Sequence, residues 1–337
     1  MSRRELAARV LGSRAVNRLG RVAGGGLRIL AYHRILDTDQ SSFRFDEGLV
    51  SATNEAFYHQ MRFVRENFHV VTFRDLLECE RAGKDWPDRG LIVTFDDGYR
   101  DNYTNAFPVL RELKIPATIF LATGHIGEEK LFWWDLIAFC FKRTDCDSVD
   151  LPEISTEPVS LADTGERKQA INLVLEWIKR AADETRQSFL ERLPDRLGVT
   201  LDDDLAFAIH LSWDEVRTMS EGGVEFGSHT VTHPVLANVN ADRLAVELRE
   251  SKATIERETG KEAIAFAYPV GRSVNFTAAA MEAVKEAGYS FAVSYEEGVA
   301  DRRASNRYAL PRIHVESDQS LNLFRANLMF SRLLLGG

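Results

Sequence analysis

The stretch Leu91-Ile92-Val93-Thr94-Phe95-Asp96-Asp97-Gly98 constrains this chain more than any other. An apolar run of strand length ends on two adjacent carboxylates and a glycine. Neighbouring acids repel each other, so closing a buried strand this way brings no stability. A bound cation reverses that sign, because one carboxylate ligates it while the other serves as a base beside it. A tight turn with solvated acids would need no cation, so the reading turns on whether the chain supplies further ligands.

Strand and helix patterns alternate around this stretch. Strands are predicted at 27–32, 70–72, 91–95 and 117–121, with helices at 54–68, 73–81 and 105–113. The pattern breaks over 126–209 and resumes with helix 212–221, strand 223–227, helix 241–259, strand 263–268, helix 275–287 and strands 289–294 and 308–314. Such alternation predicts a parallel sheet or barrel. Residues 126–209 hold Trp133, Trp134, a polar stretch over 143–168 and helical patterns at 169–180 and 183–193, and read as an inserted helical segment. The tail over 320–335 carries Leu321, Phe324, Leu328 and Leu335 at helical spacing.

The chain has 337 residues, 45% of them hydrophobic and 28% charged, enough for an ample core. Its net charge of −9 argues against nucleic acid as a partner. Cys79, Cys140 and Cys146 form no CxxC pair and make a poor disulfide framework. No apolar run reaches transmembrane length, and the N-terminus lacks the apolar core of a secretory signal, so a cytoplasmic placement is expected. Residues 1–28 instead carry Arg3, Arg4, Arg9, Arg14, Arg18, Arg21 and Arg28 against Glu5. This basic segment suits peripheral contact with the anionic inner face of a membrane, and equally a solvated leader helix.

The second cluster is Gly227-Ser228-His229-Thr230-Val231-Thr232-His233-Pro234, directly after a predicted strand. Spacing of i and i+4 brings both imidazoles to one side of a turn. Pro234 disfavours helix at His233, so the turn is expected to be irregular. Alone, two histidines on a surface turn explain the spacing as well. Two histidines and one carboxylate together make a three-ligand site with an open position for water, as in catalytic zinc centres. The second carboxylate then takes a proton from that water. Both clusters fall at C-terminal strand ends, where barrel active sites assemble.

The order Thr94-Phe95-Asp96-Asp97-Gly98, His229-Thr230-Val231-Thr232-His233-Pro234 and Ala265-Phe266-Ala267-Tyr268-Pro269-Val270-Gly271 resembles the polysaccharide deacetylase family. This is the NodB-homology group, also called carbohydrate esterase family 4. Leu30-Ala31-Tyr32-His33-Arg34, Ile115-Pro116-Ala117-Thr118-Ile119-Phe120 and Leu310-Pro311-Arg312-Ile313 fit it too. The resemblance covers roughly 27–125 and 210–315. It implies an α/β fold, a distorted (β/α)7, TIM-like barrel over 27–315 with the insertion 126–209. A leader, 1–26, precedes it and a helical tail, 316–337, follows.

The resemblance implies a divalent metal, zinc foremost with cobalt, nickel or manganese also suited to such ligands. Asp97, His229 and His233 would bind it and Asp96 would be the general base. The Val270 amide would stabilise the oxyanion, and His314 would protonate the leaving amine. Tyr268, Trp134, Ile313 and His33 are expected to face substrate. The family's arginine that holds the catalytic aspartate falls at Ala267 here, so Arg312, with Arg272 as second candidate, is expected to position Asp96. The implied activity is hydrolytic de-N-acetylation of N-acetylhexosamine units in a glycan of exopolysaccharide type. The alternatives are hydrolysis of linear or cyclic amides on the same barrel, and a non-catalytic glycan-binding module.

Overall fold

The computed structural model describes residues 25–38, 43–128, 130–201 and 209–331. Seven parallel strands close a barrel: β1 Arg28–Tyr32, β2 Gly90–Phe95, β3 Thr118–Leu121, β4 Glu225–Ser228, β5 Ala265–Ala267, β6 Phe291–Glu297 and β7 Leu310–His314. They follow one another in chain order, and β1 closes the ring by pairing with both β7 and β2. The barrel is distorted. β4 and β5 share a single registered pair, Ser228 with Phe266, and the β6–β7 register shifts between Val293 and Glu297.

Strand alternation sorts the side chains into an inner and an outer set. Ile29, Ile92, Phe120, Ala267, Phe291 and Leu310 fill the interior with Phe73 and Leu76. Leu30, Tyr32, Leu91, Val93, Phe95 and Ile313 face the other way, into the layer between barrel and helices. Along β2 the inner set runs Ile92, Thr94 and on to Asp96. Along β7 it contains Arg312 and leaves Ile313 outside. Ile313, expected to face substrate, is instead fully packed in the outer layer, a correction that follows from this parity.

Helices α1 Asn54–Asn67, α2 Phe73–Arg81 and α3 Phe107–Leu113 cover the first half of the barrel. Thr72, predicted as strand, is instead the N-cap of α2, where it and Asp75 form reciprocal capping bonds. Only His69–Val70 pairs with the start of β2. A π-helical turn at Asn102–Ala106 leads into α3.

After β3 the chain enters the insertion: α4 Trp133–Arg143, a small strand pair, α5 Thr164–Ile178 and α6 Asp183–Arg196. It returns where His210 bridges Tyr99. No helix is predicted at α4, because a dense run of large apolar residues reads equally as a buried strand or a helix segment. These helices share their own apolar cluster with Phe132, Trp133 and Trp134. Two hydrogen bonds fasten α4 to the turn after β2: Trp134 Nε1 donates to the Tyr99 hydroxyl (2.7 Å), which donates to Asp135 Oδ2 (2.6 Å).

The outer layer continues with α7 Trp213–Glu221, α8 Ala241–Thr259 and α9 Ala278–Glu286. Helix α10, Leu321–Met329, packs Phe324 against Phe63 of α1. The leader's residues 1–24 and tail residues 332–337 lie outside the described residues. Among the described residues no helix is long and apolar enough to cross a membrane.

Candidate active site

The site forms where β2 and β4 end. Asp96 continues the inward parity of β2, and the next residue breaks it. Asp97 has φ 77° and Gly98 φ 89°, so the chain turns through left-handed backbone and swings the second carboxylate aside. A Cβ at Gly98 would lie 2.7 Å from Ile126 Cδ1 and 2.8 Å from Leu121 Cδ2, so only glycine fits the turn. The two acids thereby gain different neighbours.

Asp96 meets Arg312 across the barrel. Nη1 donates to Oδ1 (2.8 Å) and Nη2 to Oδ2 (2.7 Å), while Nε donates to the Ser294 carbonyl (2.8 Å). Both side chains are buried. Burial alone would raise the Asp96 carboxyl, yet the Arg312 charge and its two hydrogen bonds win and hold it at about 2. Asp96 therefore stays ionised. Asp97 goes the other way: burial, then the Asp96 charge, push its carboxyl well above the usual range. A cation relieves that cost.

The ligand candidates converge. His229 Nε2 and His233 Nε2 each lie 3.5 Å from Asp97 Oδ1 and 3.1 Å from each other. The three ligand atoms fall within 4.8 Å of one another. His229 Nδ1 bonds the Ala267 carbonyl (2.8 Å) and so carries the proton, leaving an Nε2 lone pair aimed at the cluster. Burial lowers the pKa of both imidazoles, and in His233 the neighbouring His229 adds to it, so both are neutral. The His229 Nε2 lone pair, the Asp97 carboxylate and His233 Nε2 converge on one point, which is the donor set of a divalent metal. The turn between them is irregular, with φ 70° at Thr230 and 53° at His233.

Opposite the ligands, Val270 has φ 60°, an outlier for a β-branched residue. Its amide has no acceptor among the described residues. Among the described residues, Asp97, Thr230, His233 and Val270 account for four of the six non-glycine positions at positive φ, so backbone strain concentrates at this rim.

Asp96, Asp97, His229, His233, Val270 and Arg312 line one cavity of about 310 Å³, shared with His33, Tyr268, Trp133, Trp134 and Tyr295. His33 Nε2 lies 3.9 Å from Asp96 Oδ2, and burial lowers its pKa to about 4. Trp134 packs edge-on against His233, with ring centroids 4.5 Å apart, and Tyr268 stacks on Phe276. His314, like Ile313, is an exception. Its ring stacks on Tyr295 at 3.7 Å and is not among the residues that line the cavity. Arg272 lines the cavity, but the partner of Asp96 is Arg312.

A family profile described as polysaccharide deacetylase matches residues 83–292, more than half of the chain. The chain belongs to the polysaccharide deacetylase family. The deacetylase is thus a hydrolase of carbon–nitrogen bonds. It is 22% identical to YxkH of Bacillus subtilis over 301 residues, 89% of this chain and 75% of that protein. It is 35% identical over 89 residues to the poly-β-1,6-N-acetyl-D-glucosamine N-deacetylase of Staphylococcus aureus, a match spanning 26% of this chain and 30% of the relative. The Streptococcus pyogenes deacetylase PplD, solved in complex with acetate, shares the fold with a TM-score of 0.58 at 18% identity, over 89% of this chain and 97% of that one.

The deacetylase also has site contacts that the motifs did not reveal. Glu247 of α8 and Arg186 of α6 both hold the backbone of the histidine turn. Neither has a local sequence signal, because each reaches the turn from a different helix.

Proposed function

We propose that the deacetylase hydrolyses the N-acetyl group of N-acetylhexosamine units in an exopolysaccharide-type glycan, with a divalent metal held by Asp97, His229 and His233. The observation that carries this reading is the convergence of those three ligand atoms beside Asp96, an ionised carboxylate clamped by Arg312. Zinc suits two histidines and one carboxylate, and cobalt, nickel or manganese suit the same set. The metal, when bound, supplies Lewis acidity that polarises the acetyl carbonyl and acidifies water.

The chain's own groups carry the rest. Asp96 accepts the water proton as the new C–O bond forms. The Val270 amide donates to the developing oxyanion. Breaking the C–N bond then requires a proton on the departing amine. His33 lines the cavity 3.9 Å from Asp96, whereas His314 stacks on Tyr295 and does not line it, so the donor role is assigned to His33: neutral itself, it takes up the proton that Asp96 accepted from water and passes it to the amine as the C–N bond breaks. Tyr268 and Trp134 form walls for the sugar. The name of the Staphylococcus aureus relative supports an N-acetylglucosamine polymer as substrate.

The test is acetate release from N-acetylglucosamine oligomers by zinc-loaded protein. Asp96→Asn is expected to lower turnover by about 10²–10⁴-fold. Arg312→Ala should lower it sharply with zinc content intact. No acetate from any acetylated glycan, alongside activity on a small amide, would overturn the substrate assignment.

A further inference from the structure

The turn that carries both histidines is strained and exposes its amides and carbonyls to two different helices. From below, Glu247 of α8 accepts from the amides of Val231 (2.7 Å) and Thr232 (2.9 Å) through Oε2, and from the Thr232 hydroxyl (2.6 Å) through Oε1. From above, Arg186 of the inserted helix α6 donates Nη1 to the carbonyl of His233 itself (3.3 Å). The two ends are joined. Arg186 Nη2 pairs with Asp183 (2.5 Å), Asp183 with Arg243 (3.3 Å), and Arg243 with Glu247 (3.3 Å) and with the Thr232 hydroxyl (3.0 Å).

This chain of alternating charges is expensive where it stands. Arg186 is 5% exposed and Glu247 3%, and Arg186 Nε has no partner among the described residues. Apolar side chains of similar volume would stabilise such a contact at least as well. What the charges supply is direction: one carboxylate oxygen of Glu247 holds the two amides just before His233, the other holds the Thr232 hydroxyl, and the Arg186 guanidinium holds the carbonyl of His233. A second tie lies alongside, where Asn238 Nδ2 donates to the carbonyls of Lys179 and Ala181 (3.0 Å each), just before α6. The insertion thus holds the ligand turn as well as contributing Trp133, Trp134 and Lys179 to the cavity wall.

We propose that Arg186, acting with Asp183, Arg243 and Glu247, is a positioning residue for the metal centre, so that the insertion sets the affinity of the His229–His233 turn for its metal. This rests on the metal reading above. Contacts behind a ligand that orient it are worth about 10–100-fold in metal affinity.

The test is chelator-competition titration of Zn²⁺ into the full-length apo protein, with apo unfolding temperatures recorded in parallel. Arg186→Met should raise the zinc Kd about tenfold or more. Arg192→Met, on the exposed side of the same helix, should leave it at the wild-type value. Arg186→Lys keeps the charge without the planar fork, so its Kd should fall between the two; it also carries the test if Arg186→Met does not fold. The Co²⁺-loaded Arg186→Met protein should show an altered visible spectrum, which a purely stabilising role would not produce. Wild-type Kd in both Arg186 variants, or an equal loss in Arg192→Met, overturns the proposal. Wild-type protein that binds no zinc overturns the metal reading itself and this inference with it.

Discussion

Two pairs of buried histidines flank Phe132, and among the described residues only one of them meets a carboxylate. His229 and His233 face Asp97 at 3.5 Å. His125 and His210 sit on the other side, with Phe132 stacked on His125 at 4.1 Å and edge-on to His210 at 4.8 Å. His125 Nδ1 bonds the Lys130 carbonyl (2.9 Å), and neither ring nitrogen of His210 has a partner among the described residues. Burial keeps both rings of this second pair neutral, lowering them to about 4 and about 3. Neutrality is therefore common to both pairs and does not make a ligand site. The first pair adds converging lone pairs, a carboxylate and a turn gripped from two helices. The second pair has aromatic packing in their place.

The comparison breaks first at the metal. His229→Ala should take zinc content from one per chain to none and abolish acetate release, whereas His210→Phe should leave both unchanged; elemental analysis of the two variants decides it. A loss of zinc in His210→Phe would mean that the second pair serves the site after all.

A smaller effect sharpens the roles of histidines nearer the base. His33→Ala should lower kcat by about 10²-fold, and His314→Ala by less than tenfold, since only His33 reaches the cavity. The opposite ranking in steady-state kinetics would return the proton-donor role to His314.

The smallest effect is on stability. In the folded chain His125 and His210 stay neutral down to about 4 and about 3, while the unfolded chain takes up protons below 6.5. The unfolded state then binds more protons, so stability is full above 6.5 and falls as pH drops through the interval between 6.5 and 3. His210→Phe should flatten the fall in urea midpoint between pH 6.5 and 4. At pH 7 it should also gain about 1 kcal/mol, because two unpaired buried nitrogens are removed. A slope equal to wild type would show that His210 does not contribute to the acid lability.

Much of this was legible in the sequence. Asp96 and Asp97 are adjacent, and His229 and His233 are one turn apart, so their chemistry is written in short spacings that end predicted strands. The alternation of strands and helices likewise carried the barrel. Arg312 was legible as the first candidate to fill a vacancy, since Ala267 stands where the family arginine was expected. Strand parity, visible once the register is known, then separates Arg312 and His33, which face the interior, from Ile313, which does not. Helix α4 escaped because a dense apolar run reads equally as strand or helix. Arg186 and Glu247 escaped because their partners are backbone atoms of a turn that neither adjoins in sequence.

The sequence by itself determined which residues hold metal-binding and proton-accepting groups, because ligand type and local spacing are properties of the chain. Tertiary structure alone decided which groups those ligands meet. It set Arg312 against Asp96 across the barrel, turned His314 onto Tyr295, and brought a helix of the insertion onto the carbonyl of His233. The physical reason is distance along the chain: the Arg186 and Arg312 contacts join elements 47 and 216 residues apart and depend on strand register and helix packing, which no short pattern encodes.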